Sequence, residues 1–328
     1  MGRRHVQVVE QLGLPIAGIC DQSAEALAAV GTEHGIAEES RFTDFPTLLK
    51  ETRPEAAIVA THAPSHCAFV CQAAAAGVKY ILCEKPMAVS LAECDRMLEA
   101  CTRHGARLAV NHQMRFMPQY TEARRILHSP EFGGLSSVTV VAGNIGLAMN
   151  GTHYFELFRY LTGERPAEVT AWFSPQRVAN PRGAQFEDRG GAIRVSTATG
   201  ARLYLEAGAD QGHGIQVIYA GPYGQLLADE LTGTLRLVVR QEEQRLLPST
   251  RYGAPAVETV VTVPPSDAVA PTKAVLSALL AEQDYPSGAD GRQAVAVLVA
   301  GYLSHESGHA PLPLSVAESA AERVFPWA

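Results

Sequence analysis

Ile81-Leu82-Cys83-Glu84-Lys85-Pro86-Met87-Ala88 is the segment whose reading decides the fold. Its left half is a short apolar run, the pattern of a strand buried in a parallel sheet. Its right half stops that strand with a glutamate, a lysine and a proline, residues poorly suited to continuing it. Ligands of open α/β sheets bind beyond the carboxyl ends of the strands, so Lys85 is expected to point into the crevice where chemistry occurs. The plainer alternative is a solvated lysine paired with Glu84.

The flanking sequence alternates between apolar runs and helical patterns. Before the segment, 1–12 reads as a helix stopped by Gly13 and 15–20 as a strand ending at Asp21. A helix over 24–30, a polar connection over 31–39 and a short helix over 44–50 follow. Next come a buried strand over 56–61 and an alanine-rich helix over 64–76, closed by Gly77. After the segment, 91–103 is a helix stopped by Gly105, and 108–111 is another strand. This order predicts βαβ units and a doubly wound, Rossmann-type parallel sheet. The texture changes after about residue 115. A helix over 119–128 leads to β-rich stretches at 136–144, 168–173, 192–197, 202–206, 215–220 and 234–239. Several alternate apolar and polar side chains, the mark of an antiparallel sheet with one wet face. Helical patterns return at 272–282 and 289–305. The expected organisation is a dinucleotide-binding domain over 1–115 and an α+β domain with a mostly antiparallel open sheet over 116–328.

Composition sets the outer limits. A chain of 328 residues, 47% apolar and 19% charged, can bury two real cores and is not disordered. A formal charge of -7 gives no reason to expect nucleic acid or an anionic membrane as partner. No apolar run approaches the ~20 residues that span a bilayer, and the N-terminus lacks the apolar core of a secretory signal. All six cysteines fall between Cys20 and Cys101. Cys67 and Cys71, one helical turn apart among alanines, read as small buried thiols rather than metal ligands, and no metal site is expected. A reduced, cytoplasmic compartment fits this usage.

Asp21 ends the first readable strand, where an acidic residue of a Rossmann half accepts hydrogen bonds from the adenosine ribose hydroxyls. It could equally be the N-cap of the next helix. Gln22 and Ser23 bring no arginine to receive a 2′-phosphate, so NAD is expected ahead of NADP, with NADP still possible.

Taken together, certain motifs resemble the glucose–fructose oxidoreductase / inositol dehydrogenase / MocA (Gfo/Idh/MocA) family of nicotinamide-dependent sugar oxidoreductases. They are Glu84-Lys85-Pro86 after an apolar strand, Thr61 and His66 after the strand before it, and Asn111 with Arg115-Phe116 at the domain junction. Gly151-Thr152-His153, running into Leu157-Phe158-Arg159, resembles the family's Gly-x-His motif and its helix. Gly221-Pro222-Tyr223-Gly224 resembles its β-turn, and Asp290-Gly291-Arg292 the start of its last helix. By this resemblance Lys85 hydrogen-bonds the reacting hydroxyl and His153 takes its proton. Gly2, Arg3, Asp21, Thr61, His66 and Glu84 serve the cofactor together with Lys85, whereas Asn111, Arg115 and Asn150 serve the substrate with His153. The chemistry is coherent. Hydride leaves a carbinol carbon only if the hydroxyl proton leaves too, and a base of near-neutral pKa beside an ammonium suits both needs.

Two departures from the family pattern stand out. The family commonly has an aspartate four residues before this histidine; here the position is Met149, followed by Asn150. A thioether can neither carry charge nor orient an imidazole. Glu156 is a candidate for orienting His153, and His62 and His112 are further histidines near strand ends. The family's glycine-rich turn also follows a first strand, whereas this sequence opens at Met1-Gly2-Arg3-Arg4-His5, resembling the last glycine of that turn and its helix. The first strand and first two glycines are therefore expected to be absent, most simply through a start assigned to an internal methionine. The resulting expectation is an NAD(P)-dependent dehydrogenase acting on a sugar, inositol or related polyhydroxylated substrate, as a homo-oligomer. The alternative is a non-catalytic relative kept as a binding or assembly module.

Overall fold

The computed structural model describes residues 1–177, 180–212, 214–250 and 252–328. They form two compact units, one of Met1–Gln113, Ala268–Val295 and Ala321–Ala328, the other of Met114–Asp267 and Ala296–Ala320. The late segments Ala268–Val295 and Ala321–Ala328 thus group with the N-terminal unit, whereas a single cut at 115 assigns them to the second domain.

In the first unit, helices and strands alternate in the expected order. They are α1 (Gly2–Gln11), β1 (Ile19–Cys20), α2 (Ala24–Glu33), β2 (Arg41–Phe42), α3 (Phe45–Thr52), β3 (Ala56–Val59), α4 (Ala63–Ala75), β4 (Tyr80–Cys83), α5 (Leu91–His104) and β5 (Arg107–Val110). Short polar side chains start several helices by accepting otherwise unpaired backbone N–H groups. Ser23 takes that of Ala26, Asp44 that of Thr47 and Ser90 that of Glu93. Strand β4 lies between β3 and β5 in a parallel sheet, with Ile81 opposite Ala57 on one side and Leu108 on the other. All four of its residues are buried, as an apolar run with helices on both sides requires. Strands β1 and β2 pair in parallel as a separate ribbon, and no described strand joins β1 to β3. β2 is invisible in the sequence because two residues, one of them arginine, hold no periodicity.

The second unit contains α6 (Pro118–Leu127), β6 (Ser137–Ala142), α7 (Thr152–Thr162), β7 (Pro166–Arg177), β8 (Arg189–Thr197), β9 (Arg202–Ala207), β10 (Gln216–Ala220), β11 (Gly224–Asp229), β12 (Thr234–Arg240), β13 (Ala256–Thr262) and β14 (Leu312–Pro313). Its nine-stranded sheet runs in the order β13-β12-β11-β10-β6-β9-β8-β7-β14. Every pair is antiparallel except β6 with β9. Alternation puts Val138, Val140, Leu203, Leu205, Val217 and Tyr219 in the core, with Tyr204 and Ile218 exposed on the other face. β11, β13 and β14 have no counterpart in the sequence reading. For β13 the reason is that nearly all of its residues are exposed, so no buried face imprints a pattern.

Two further helices are α8 (Val269–Leu280) and α9 (Gly288–Glu306). The start of α9 explains the Asp290-Gly291-Arg292 motif. Ser287 and Asp290 form a reciprocal cap, the Ser287 N–H donating to Asp290 at 2.9 Å and the Asp290 N–H to Ser287 at 3.3 Å. A side chain on Gly291 would press into Val110 and Met87. Arg292 grips Asp95 of α5 with two N–H groups, at 2.5 and 2.9 Å.

Candidate active site

In the first unit the residues of interest gather where β4 ends. The Glu84 N–H still donates to Val59 at 2.9 Å, and the Asn111 N–H donates to Cys83 at 2.8 Å, so the ladder closes at Glu84. Lys85 is the first residue beyond it, and it is buried. The Glu84 carboxylate is buried too and is surrounded by donors. His5 Nε2 lies 2.7 Å and Asn111 Nδ2 2.9 Å from Oε1, while the Lys85 backbone N–H reaches Oε2 at 3.3 Å. Burial alone would raise this carboxyl. The hydrogen bond and charge of His5, the Lys85 ammonium and the Asn111 amide together hold it well below the usual carboxylate range. Asn111, expected at the substrate, therefore spends its amide on Glu84 and on Thr272 Oγ1 at 3.3 Å. His112, next in the chain, is buried.

The cofactor candidates fall into two groups. Asp21 is exposed, with one oxygen accepting the Ser23 N–H at 2.9 Å; Ser23, not Asp21, caps α2. Gly2 opens α1 with free space where a side chain would stand, and Arg3 pairs with Glu33 at 3.0 Å on the surface. An exposed carboxylate at the end of β1 and an open helix start suit a ribose and a phosphate. His66 belongs elsewhere. It is buried, with Nε2 3.1 Å from the Thr61 carbonyl and Nδ1 3.1 and 3.3 Å from those of Pro86 and Met87. Burial pushes its pKa down, against a smaller upward pull from those carbonyls and Glu84. It ties the loop after β3 to the loop after Lys85. The Thr61 hydroxyl accepts from Ser65 at 2.7 Å.

In the second unit, Gly146 (φ 69°) turns the chain into a π-helical turn, Leu147–Gly151, that runs into α7. His153 is buried in the first turn of α7. Asp188, just before β8, receives the backbone N–H groups of Ala148 and Met149, each at 2.8 Å. A side chain at Gly146 would collide with that carboxylate. Met149 thus presents no charge of its own, but its backbone is bound to one. Asn150 is half-buried and donates its amide to the Ile145 carbonyl at 2.5 Å. Arg115, expected at the substrate, is buried and donates to Glu156. Its guanidinium stands 4.6 Å over the Tyr160 ring, and Arg159 reaches the same Glu156 oxygen at 3.1 Å. Arg115 and Glu156 are thus partners in an internal ion pair.

Sequence reading missed His5, Asp188 and a second acidic residue, Glu230. The Glu230 carboxylate is buried and accepts from the hydroxyls of Tyr120 and Tyr154, the latter at 2.7 Å. Burial pushes its pKa up to about 8. Among the described residues no group of His, Cys, Asp or Glu side chains is placed to hold a metal ion, and no helix is long and apolar enough to cross a membrane.

Residues 1–112 match the model of the Gfo/Idh/MocA oxidoreductase family, described by its NAD-binding Rossmann fold. D-apiose dehydrogenase of Paraburkholderia graminis is 32% identical over 179 residues, which cover 49% of this chain and 47% of that one. The chain thus spans about half the length of that relative. Inositol 2-dehydrogenase 2 of Saccharopolyspora erythraea is 28% identical over 231 residues, 66% of each chain. The fold is that of an oxidoreductase from Agrobacterium radiobacter, solved with NAD+, L-tartaric acid and magnesium. The TM-score is 0.78 and the identity 20%, over 96% of both chains.

Proposed function

We propose that the protein is an NAD-dependent dehydrogenase that moves a hydride between the cofactor and a secondary hydroxyl of a sugar, inositol or related polyol. The observation that carries this reading is Lys85, buried two residues past the end of β4, with its backbone fixed to an ionised Glu84. The names of the sugar and inositol dehydrogenases above support the substrate class. When bound, the nicotinamide supplies the hydride acceptor. Asp21 would hold the adenosine ribose, and its charge would repel a 2′-phosphate, which favours NAD over NADP. Lys85 would donate to the substrate oxygen and stabilise the developing alkoxide. His153 would take the hydroxyl proton as general base.

The non-catalytic alternative draws its support from Met149, which stands where the family commonly carries an aspartate. Against it, a pure scaffold has no need of a buried lysine at a strand end. We further assign a cytoplasmic location, supported by six free cysteines. A homo-oligomer joined through the open sheet face is supported by the exposed Tyr204 on β9 and Ile218 on β10, the two strands that flank β6.

Titration with NADH and NADPH, followed by fluorescence, tests the cofactor; NADH is expected to bind more tightly. NAD reduction is then measured with a panel of inositols, aldoses and polyols. No binding of either dinucleotide by folded protein, and no reduction with any substrate, would establish the non-catalytic reading. For the base, His153→Asn is expected to slow oxidation and to remove the fall of kcat/KM at acid pH that a protonated base imposes. An unchanged profile assigns the base elsewhere, with His112 next to test.

A further inference from the structure

Nothing in the proposed reaction uses His5, although its Nε2 lies 2.7 Å from the Glu84 carboxylate. It sits on the second turn of α1, 79 residues from its partner, and the two side chains are each only 4% exposed. An ionised carboxylate can only accept, so His5 Nε2 carries the hydrogen. Asn111 completes the grip on the same oxygen, and its own amide is steadied by Thr272, whose hydroxyl donates to Ala268 at 2.7 Å. Helix α1, the ends of β4 and β5 and helix α8 thereby meet at one carboxylate.

This arrangement is a poor way to gain stability. Burying a charge pair costs about as much as the pair returns, and apolar side chains of the same volume serve as well or better. The cost here is increased by two further groups. His5 Nδ1 and Asn111 Oδ1 are buried, and neither has a hydrogen-bond partner among the described residues. What the network does achieve is geometric. With Oε1 held by His5 and Asn111, Oε2 is aimed at the Lys85 backbone N–H, the first one past the sheet ladder. Pro86 follows and has no N–H, so this bond is the backbone tether that Lys85 receives from Glu84.

We propose that His5 is a positioning residue: through Glu84 it fixes the backbone of Lys85, and so the place of the ammonium, from a different helix. The use made of that place rests on the role proposed for Lys85 above, but the positioning itself is measurable without turnover. A displacement of about 1 Å at a reacting group costs on the order of a hundredfold in rate, so a device of this kind is worth its cost in stability.

The test compares two polar replacements of similar size. The amide nitrogen of His5→Gln falls near Nε2 and can still donate to Glu84, whereas that of His5→Asn falls near Nδ1 and cannot. Lysine acetylation by acetic anhydride, read by peptide mass spectrometry, reports Lys85 directly, with the exposed Lys50 as internal standard. His5→Asn is expected to label Lys85 several-fold faster than wild type and to lose about tenfold or more in kcat, with NADH affinity little changed. His5→Gln is expected to recover most of both. Wild-type labelling in His5→Asn overturns the proposal. So do equal changes in the two variants, which would mark His5 as a packing residue. Lys85→Met serves as the separate control. If it retains turnover, the proposed role of Lys85 fails while the labelling still decides whether His5 positions it.

Discussion

Two buried glutamates, Glu84 in the first unit and Glu230 in the second, behave in opposite ways. Glu84 is held well below the usual carboxylate range, whereas Glu230 is pushed up to about 8. Burial acts on both in the same direction. The difference lies in the partners. Glu84 has an imidazole and an ammonium beside it, while Glu230 has two phenol hydroxyls, which donate hydrogen bonds but bring no charge. Glu84 thus keeps a fixed negative charge next to Lys85, and Glu230 is an acid whose charge depends on pH. Only the first arrangement can hold a cation in place at every pH the protein meets.

The strongest way to break the first network is through the group it serves. Lys85→Met is expected to leave folding intact and to lower turnover by on the order of a hundredfold to a thousandfold, the effect of losing a donor that stabilises a developing oxyanion. Thermal unfolding and steady-state kinetics on one preparation check both halves. Turnover close to wild type would remove Lys85 from the reaction.

Glu84→Gln attacks the centre of the same network. The amide oxygen can still accept from His5 and Asn111, but the amide nitrogen then faces the Lys85 N–H, His5 and Lys85 lose their buried counter-charge, and breaking such a pair costs about 3–5 kcal/mol. Denaturant unfolding should show that loss at neutral pH. The substitution is the mirror image of Glu230→Gln, for which the sign is reversed. A carboxyl with a raised folded-state pKa stabilises the protein fully below its unfolded value of 4.5, and that contribution is lost as pH rises to about 8. Wild-type stability is therefore expected to fall by on the order of 5 kcal/mol across this window, and Glu230→Gln to flatten the fall. A wild-type curve with no decline between those limits would mean that the tyrosines stabilise the carboxylate as well as a cation would.

The contrast between the two glutamates is also a contrast in what a sequence reveals. The parallel strands around β4 were legible because an apolar run between helical patterns admits one architecture. The alternating strands β6, β9 and β10 were legible because one of their faces is buried and the other wet. Lys85 and His153 were singled out because each follows a recognisable local pattern, a strand stop and a helix start. The partners were not legible. His5 lies 79 residues from Glu84, Asn111 lies 27 away, and Asp188 lies 39 and 40 residues from the amides it holds. Charged and amide side chains in these positions look like ordinary surface residues until the fold brings them together. Arg115 and Asn111 show the converse. Residues that looked free to bind a substrate are already occupied inside their own units.

Asp188 provides the smallest and most local test of the comparison. In the first unit a carboxylate is fixed by side chains; here one is fixed by backbone, through the amides of Ala148 and Met149 in the π turn before His153. Those amides have no helical partner at the start of the turn, so the carboxylate serves them as an N-cap does. Asp188→Ala removes both bonds and is expected to cost about 1–2 kcal/mol. In a chain of this size that lowers Tm by only a few degrees. Asp188→Asn keeps one acceptor oxygen but turns an N–H towards the other amide, so it should recover part of the loss and no more. The charge also faces a turn whose own side chain, Met149, carries none, which gives this cap a second use if His153 is the base. In that case Asp188→Ala should lower kcat more than its small loss of stability implies, because the histidine sits on the turn being loosened. Equal melting of wild type and Asp188→Ala would show that the turn holds itself, and His153 would then owe its position to the packing of α7 alone.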